Sequence, residues 1–256
     1  MTRQRILTAL LLAMMAAVAF CLGSEHDVSP VDRDTCVAVT DTVDVDTVAL
    51  VQRYERLTDA DYEAVASCLG VEVAAIKAVV LIEAGPGLKG FYEPGVPIIN
   101  FDLAMFRKFA GRRNVKLSSY RKSHAVVFSS PDVSHYGSRQ AAQHARLSAA
   151  MEIDSLSAIE GTFWGMFQIG GFNWRNCGCG SIGEFVQRMS LSEREQLDLF
   201  AAFITKCGMV KYLKSRNWAA FALRYNGPSY KQRGYDAKMA AAYRRFSAGN
   251  VGSGAG

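Results

Sequence analysis

Glu83 closes the apolar run Val79-Val80-Leu81-Ile82 and is followed at once by Ala84-Gly85-Pro86-Gly87, which stops a helix. An unpaired carboxylate is costly to bury, so Glu83 finds a partner, reaches solvent or does chemistry. Two features raise its expected pKa. The apolar helix desolvates the charged form, and the negative pole of the helix dipole lies at its C-terminal end. A carboxyl kept protonated near neutral pH can deliver a proton to a leaving oxygen, as glycoside cleavage requires. The ordinary alternative is a surface glutamate paired with Lys77 or Lys89. Further along, Gln168, Tyr225 and Asn226 offer two amides and a phenol that could hold a sugar hydroxyl or N-acetyl group. Trp164, Phe167, Tyr92 and Tyr235 could stack on sugar rings or equally fill a core.

These groups need elements to position them. Thr58 has the chemistry of an N-cap, with Asp59 and Asp61 in the first turn, so a helix is expected over 60–68, ended by Gly70. Residues 73–83 form a second helix, apolar on nearly every face and therefore central. The Gly/Pro-rich text to about Pro97 reads as a loop or hairpin, and residues 97–101 as a short strand. Helices are then expected over 102–110, 138–150, 152–159, 182–189, 192–206, 208–215, 217–224 and 232–246. Residues 111–137 are basic, Ser-rich and irregular, either a lid or a surface insertion. The fold class is mainly α, with a small strand element beside Glu83.

The chain of 256 residues is half apolar, enough for one good-sized packed domain. Its net charge of +5 is unevenly spread. Residues 24–63 carry 11 acidic and 3 basic side chains, whereas residues 64–256 carry 13 and 24. A cationic body suits an anionic polymer, although export and the lack of a nucleic-acid motif argue against nucleic acid. Arg3 and Arg5, the apolar stretch 6–19 and Ala17-Val18-Ala19 make an export signal over 1–19. Residues 20–56 read as an acidic linker and 247–256 as a flexible Gly-rich tail. Val18-Ala19-Phe20-Cys21 also has some likeness to a lipobox, so a lipid anchor at Cys21 is an alternative to a freely exported chain. No membrane span is expected after signal removal, and the expected location is periplasmic, cell-envelope or secreted. Export permits disulfides, and a bridge from Cys177 or Cys179 to Cys207 is the expected one. Cys177-Gly-Cys179 lacks a second Cys/His pair at ligand spacing, so neither a metal nor another cofactor is implied.

Three segments occur in a telling order: the helix ending in Glu83, then Gly165-Met166-Phe167-Gln168-Ile169, then Ala222-Leu223-Arg224-Tyr225-Asn226-Gly227-Pro228. This order resembles the lysozyme superfamily, including goose-type lysozymes and lytic transglycosylases. The chain more closely resembles the N-acetylmuramidase domain of phage endolysins and exported bacterial proteins, over roughly residues 57–246. The likeness also rests on Leu57-Thr58-Asp59-Ala60-Asp61, on residues 69–79, on Gly171-Phe172-Asn173 and on Gly234-Tyr235-Asp236.

The resemblance implies an α+β lysozyme-like domain, active as a monomer, that cleaves the β-1,4 bond between N-acetylmuramic acid and N-acetylglucosamine in peptidoglycan glycan strands. Glu83 is the implied general acid, and Gln168, Tyr225, Asn226 and Trp164 the implied substrate-binding residues. The family often carries a further acid at the position of Leu81, and an acid after the short strand at the position of Asp102. Asp102 is thus the implied second catalytic residue, with Glu93 and Glu160 as other candidates; helix capping is its ordinary alternative. Two other functions stay open. Lytic transglycosylases lack a second carboxylate and leave 1,6-anhydro products, and a non-catalytic wall-binding module would keep the fold alone.

Overall fold

The computed structural model describes residues 56–251. The export signal, linker and Cys21 anchor read from the sequence lie outside the described residues. Helix α1 (Asp59–Leu69) starts at a capping box. Asp61 N donates to Thr58 Oγ1 at 3.3 Å, and Thr58 N donates back to Asp61 Oδ2 at 2.9 Å. Gly70, at φ 62°, closes it in the left-handed conformation that glycine adopts at low cost. Helix α2 (Val73–Ala84) is the centre of the molecule, with Ala75, Ile76, Ala78, Val79 and Val80 at 1% exposure or less. Burying a side chain such as Ile76 or Val79 contributes roughly 1.5–3 kcal/mol. The chain leaves α2 at Gly85, whose φ of 80° and ψ of −172° are open essentially only to glycine.

A hairpin of β1 (Phe91–Glu93) and β2 (Val96–Pro97) leads into β3 (Ile99–Phe101). Helix α3 (Leu103–Arg112) follows, then a 3-10 turn at Leu117–Tyr120 and the short helices α4 (Ala125–Phe128) and α5 (Val133–Tyr136). The segment expected to be irregular therefore has helical turns of its own. It is tied to the core by fully buried Val127, whose carbonyl accepts from Arg146 Nη2 at 3.2 Å. Helix α6 (Arg139–Glu160) joins the two helices expected over 138–150 and 152–159. The break falls at Asp154, where φ and ψ are −158° and 104° and the side chain caps the second half by accepting from Ser157 N at 2.7 Å.

Strands β4 (Thr162–Trp164) and β5 (Ile169–Gly170) complete a second antiparallel sheet of order β3-β4-β5. The free edge of β3 is covered by α6 rather than left open. Gln140 exchanges both hydrogen bonds with the Ile99 backbone, at 2.9 and 3.2 Å, and Gln143 Oε1 accepts from Phe101 N at 3.2 Å. Alternation sends Ile99, Phe101, Thr162, Trp164 and Ile169 inward, while the row Asn100, Phe163, Gly170 makes the other face.

The rest is helical: α7 (Ile182–Met189), α8 (Glu193–Lys206), α9 (Val210–Lys214), α10 (Trp218–Tyr225), α11 (Tyr230–Arg233) and α12 (Tyr235–Val251). Gly234, at φ 65°, divides the single helix expected over 232–246 into α11 and α12. Helix α12 continues to Val251, into the stretch read as a flexible tail. It packs along α2, and Tyr243 Oη donates to Glu72 Oε2 at 2.6 Å. No single helix among the described residues is long and apolar enough to cross a membrane.

The expected bridge to Cys207 is not formed: Cys177, Cys179 and Cys207 are free thiols, and Cys68 is disulfide-bonded. Cys179 is held by a hydrogen bond with Arg188, and burial pushes its thiol up to about 11.

Candidate active site

Glu83 occupies the last turn of α2, half-buried, and the residue that ends α10 reaches it. Asn226 Nδ2 donates to Glu83 Oε1 at 2.7 Å. Burial pushes the Glu83 carboxyl from its ordinary 4.5 up to about 7, against the smaller opposing effect of the Asn226 hydrogen bond. Among the described residues these are the two influences on it. Among the described residues, neither a cation nor a second carboxylate acts on its ionisation. Lys77 is engaged with Asp59 at 2.6 Å instead. The other oxygen of the same amide, Asn226 Oδ1, is buried without a hydrogen-bond partner among the described residues. An orphaned buried acceptor of this kind is costly.

Tyr225 locks the neighbourhood. Its ring stacks on Phe221 at 5.2 Å and meets Phe200 and Phe203 edge-on at 5.9 and 5.8 Å. Its hydroxyl donates to Phe167 O at 2.6 Å. Burial, and then the charge of Glu83, hold that phenol far above its usual range. The bond ties α10 to the turn between β4 and β5. Within that turn Gln168 N donates to Gly165 O at 3.0 Å, and Gln168 Nε2 folds back onto the same carbonyl at 2.9 Å. Gln168 has φ 47°, a left-handed conformation that costs a non-glycine residue roughly 1–2 kcal/mol and clusters at functional sites.

Glu83, Asn226 and Tyr225 thus meet, with the Gln168 turn attached through Phe167. Of the other expected site residues, Trp164 faces the core and Asp102 caps a helix. Trp164 has no exposure, and its Nε1 donates to Ile159 O at 3.1 Å. Alternation along β4 turns it into the core, so it cannot stack on a sugar. Asp102 is the N-cap of α3, accepting from Met105 N at 2.9 Å. Its own N–H donates to Gly161 O, at the end of β4 away from the Gln168 turn. Three steps along the strand, roughly 10 Å at about 3.3 Å each, separate Gly161 from Trp164, with the turn beyond. The short side chain suits a cap, which engages its Oδ1. Of the remaining candidates, Glu160 pairs with Arg113 Nη1 at 2.8 Å and Glu93 lies in β1.

Sequence reasoning missed the support beneath the turn. Gln196 is fully buried; its Oε1 accepts from Met166 N at 2.8 Å, and its Nε2 donates to Met189 O at 2.8 Å and Gly90 O at 3.2 Å. Glu193, 3% exposed, accepts from Gly90 N and Leu57 N at 2.8 and 2.9 Å. The signal was available: positions 193 and 196 share the apolar stripe of α8 with Leu197, Phe200 and Ile204. Polar residues on such a stripe imply buried partners.

A helical body, a small antiparallel sheet and a desolvated helix-terminal glutamate define a lysozyme-like glycoside hydrolase. The sequence matches the family model for muramidases (N-acetylmuramidase) over residues 72–247, and the chain belongs to that family, whose substrate class is peptidoglycan. Its structure is similar to the crystal structure of the Burkholderia AP3 phage endolysin. Identity is 33%, covering 76% of this chain and 72% of that one, with a TM-score of 0.58. No curated protein matches the chain.

Proposed function

We propose that this peptidoglycan hydrolase cleaves the β-1,4 bond between N-acetylmuramic acid and N-acetylglucosamine, with Glu83 as general acid. The observation that carries the reading is the half-buried Glu83 carboxyl, pushed up to about 7 and held by Asn226. In its protonated form it gives its proton to the glycosidic oxygen. Asn226 fixes Oε1 through its Nδ2. Tyr225 and Gln168 hold the turn that borders the sugar. The chain acts outside the cytoplasm, where its substrate is.

The bond is tested by digesting purified peptidoglycan, reducing the products with borohydride and identifying the new ends by mass spectrometry. Reduced muramic acid ends are expected; reduced glucosamine ends would sink the assignment. One observation favours a second reading: Glu83 has no carboxylate partner among the influences on it. A single-carboxylate mechanism lets the substrate supply the nucleophile, with Glu83 as acid and then base. Its products are 1,6-anhydro sugars, lighter by two hydrogens and one oxygen and not reducible, so the same spectra separate the two.

A further inference from the structure

The outer face of the β3-β4-β5 sheet carries an aromatic group that catalysis does not use. Phe172, in the 3-10 turn Gly171–Asn173 that follows β5, is a large apolar side chain left 38% exposed. Its ring stacks on Phe109 of α3 with centroids 5.7 Å apart and meets Phe163 of β4 edge-on at 6.4 Å. Space for it is made by Gly170, where a Cβ would come within 2.3 Å of the Phe172 ring. Gly171 is also required, since a Cβ there would lie 2.0 Å from Ile159 O. The ring is therefore seated on the sheet at the expense of side chains at two positions and still faces water. A core residue would be covered, and a chance surface residue would not be cradled.

Two cations lie beside its stacking partner Phe109. Lys108 Nζ and the Arg112 guanidinium lie 5.9 and 5.3 Å from the centre of the Phe109 ring. Between Asp102 and Asp132 the sequence holds seven Lys and Arg and no acid. Arg113 is paired with Glu160, the acid adjoining Gly171, which removes that negative charge from the platform. Lys108 and Arg112 are exposed and make no ion pair among the described residues. Phe172 follows Gln168 by four residues, so it lies within roughly 14 Å of that turn.

We propose that Phe172, flanked by Phe163 and backed by Lys108 and Arg112, is a distal subsite for the peptidoglycan strand. The exposed ring stacks on the apolar face of a pyranose, and the two cations meet a carboxylate of the lactyl group or stem peptide. The inference rests on the glycan reading of the Glu83 site. It accounts for both unusual features of the surface, a cradled exposed aromatic ring and neighbouring cations without acids.

The test is cosedimentation of the full chain with purified peptidoglycan sacculi, in a Glu83→Gln background so that the polymer is not consumed. Phe172→Ala and Phe172→Leu are both expected to weaken binding about tenfold, and Phe172→Tyr to restore it. Lys108→Ser with Arg112→Ser should weaken binding and flatten its salt dependence. Unchanged binding by Phe172→Ala, or full binding by Phe172→Leu, would overturn the subsite, since apolar packing alone would then suffice. So would a loss confined to anionic phospholipid vesicles, which would mark a membrane-facing patch. Hydrolysis by the parent chain is scored separately on the same sacculi. Failure there removes the proposed reaction, whereas failure of the binding series alone removes only the platform.

Discussion

Asn226 Nδ2 lies 2.7 Å from Glu83 Oε1, so the group that most opposes the raised pKa of Glu83 is also the one that orients it. Desolvation wins that contest, leaving the carboxyl at about 7. A proton donor working near neutrality needs both: a carboxyl that retains its proton and an oxygen held in one place.

The pH profile follows directly. General-acid function requires the protonated form, so kcat/KM should fall as pH rises, with an apparent pKa near 7. Asn226 stabilises the charged form, so Asn226→Ala should move that limb to higher pH while lowering the maximum. Rates measured from pH 5 to 9 decide this; a limb that shifts to lower pH would contradict the assigned role.

Stability should show the cost of the same arrangement. The folded pKa of Glu83, about 7, lies above its ordinary 4.5, so the folded chain binds this proton more tightly than the unfolded one. The advantage is whole below the unfolded value and is lost as pH rises through the folded value. Glu83→Gln should therefore stabilise the protein at pH 8–9 by about 2–3 kcal/mol, after a discount for partial exposure. Near pH 4 it should have little effect. Urea denaturation at both pH values is the check, and equal effects at the two would refute it.

Asp102 should separate fold from chemistry. As the α3 N-cap it is worth about 1 kcal/mol, so Asp102→Ala should lower stability by that amount. Turnover measured below the melting range should change less than about threefold. A loss of two or more orders of magnitude, as removal of a catalytic acid or base would give, would restore the catalytic role that the family pattern implies.

Gln196 should matter more than any exposed site residue for stability. Gln196→Leu leaves Met166 N and Met189 O without their partner in the interior, while Gly90 O keeps its bond from Ile98 N at 2.9 Å. Each buried orphan costs about 1–3 kcal/mol, so a total loss of about 2 kcal/mol or more is expected in chemical denaturation. A loss under 1 kcal/mol would mean that the turn is supported in some other way.

The parts of this molecule legible in the sequence were those fixed by local rules. Thr58 with Asp61, the all-apolar α2 and the helix-ending Gly70 each act within a few residues, and the structure has them where the pattern puts them. Glu83 and Asn226 were found because their order along the chain matches a family, although no local rule brings them together across 143 positions. What local rules leave undetermined is which way a residue faces. Trp164 and Phe163 are neighbours in one strand, and only the pairing of β4 with β3 and β5 decides which is buried. Asp102 had two readings of equal local sense, and the structure shows the capping bond to Met105 N. The cysteines were the least legible, because pairing depends on distances that spacing does not give.

The central claim, that a single desolvated carboxyl at the end of α2 does the proton transfer, is tested most directly by Glu83→Gln. The substitution keeps size and can still meet Asn226 while removing the transferable proton. Turnover on purified peptidoglycan near pH 6 should fall about a thousandfold, with the circular dichroism spectrum and sacculus binding retained. A folded Glu83→Gln protein that cleaves within tenfold of the parent rate would show that the proton comes from another group.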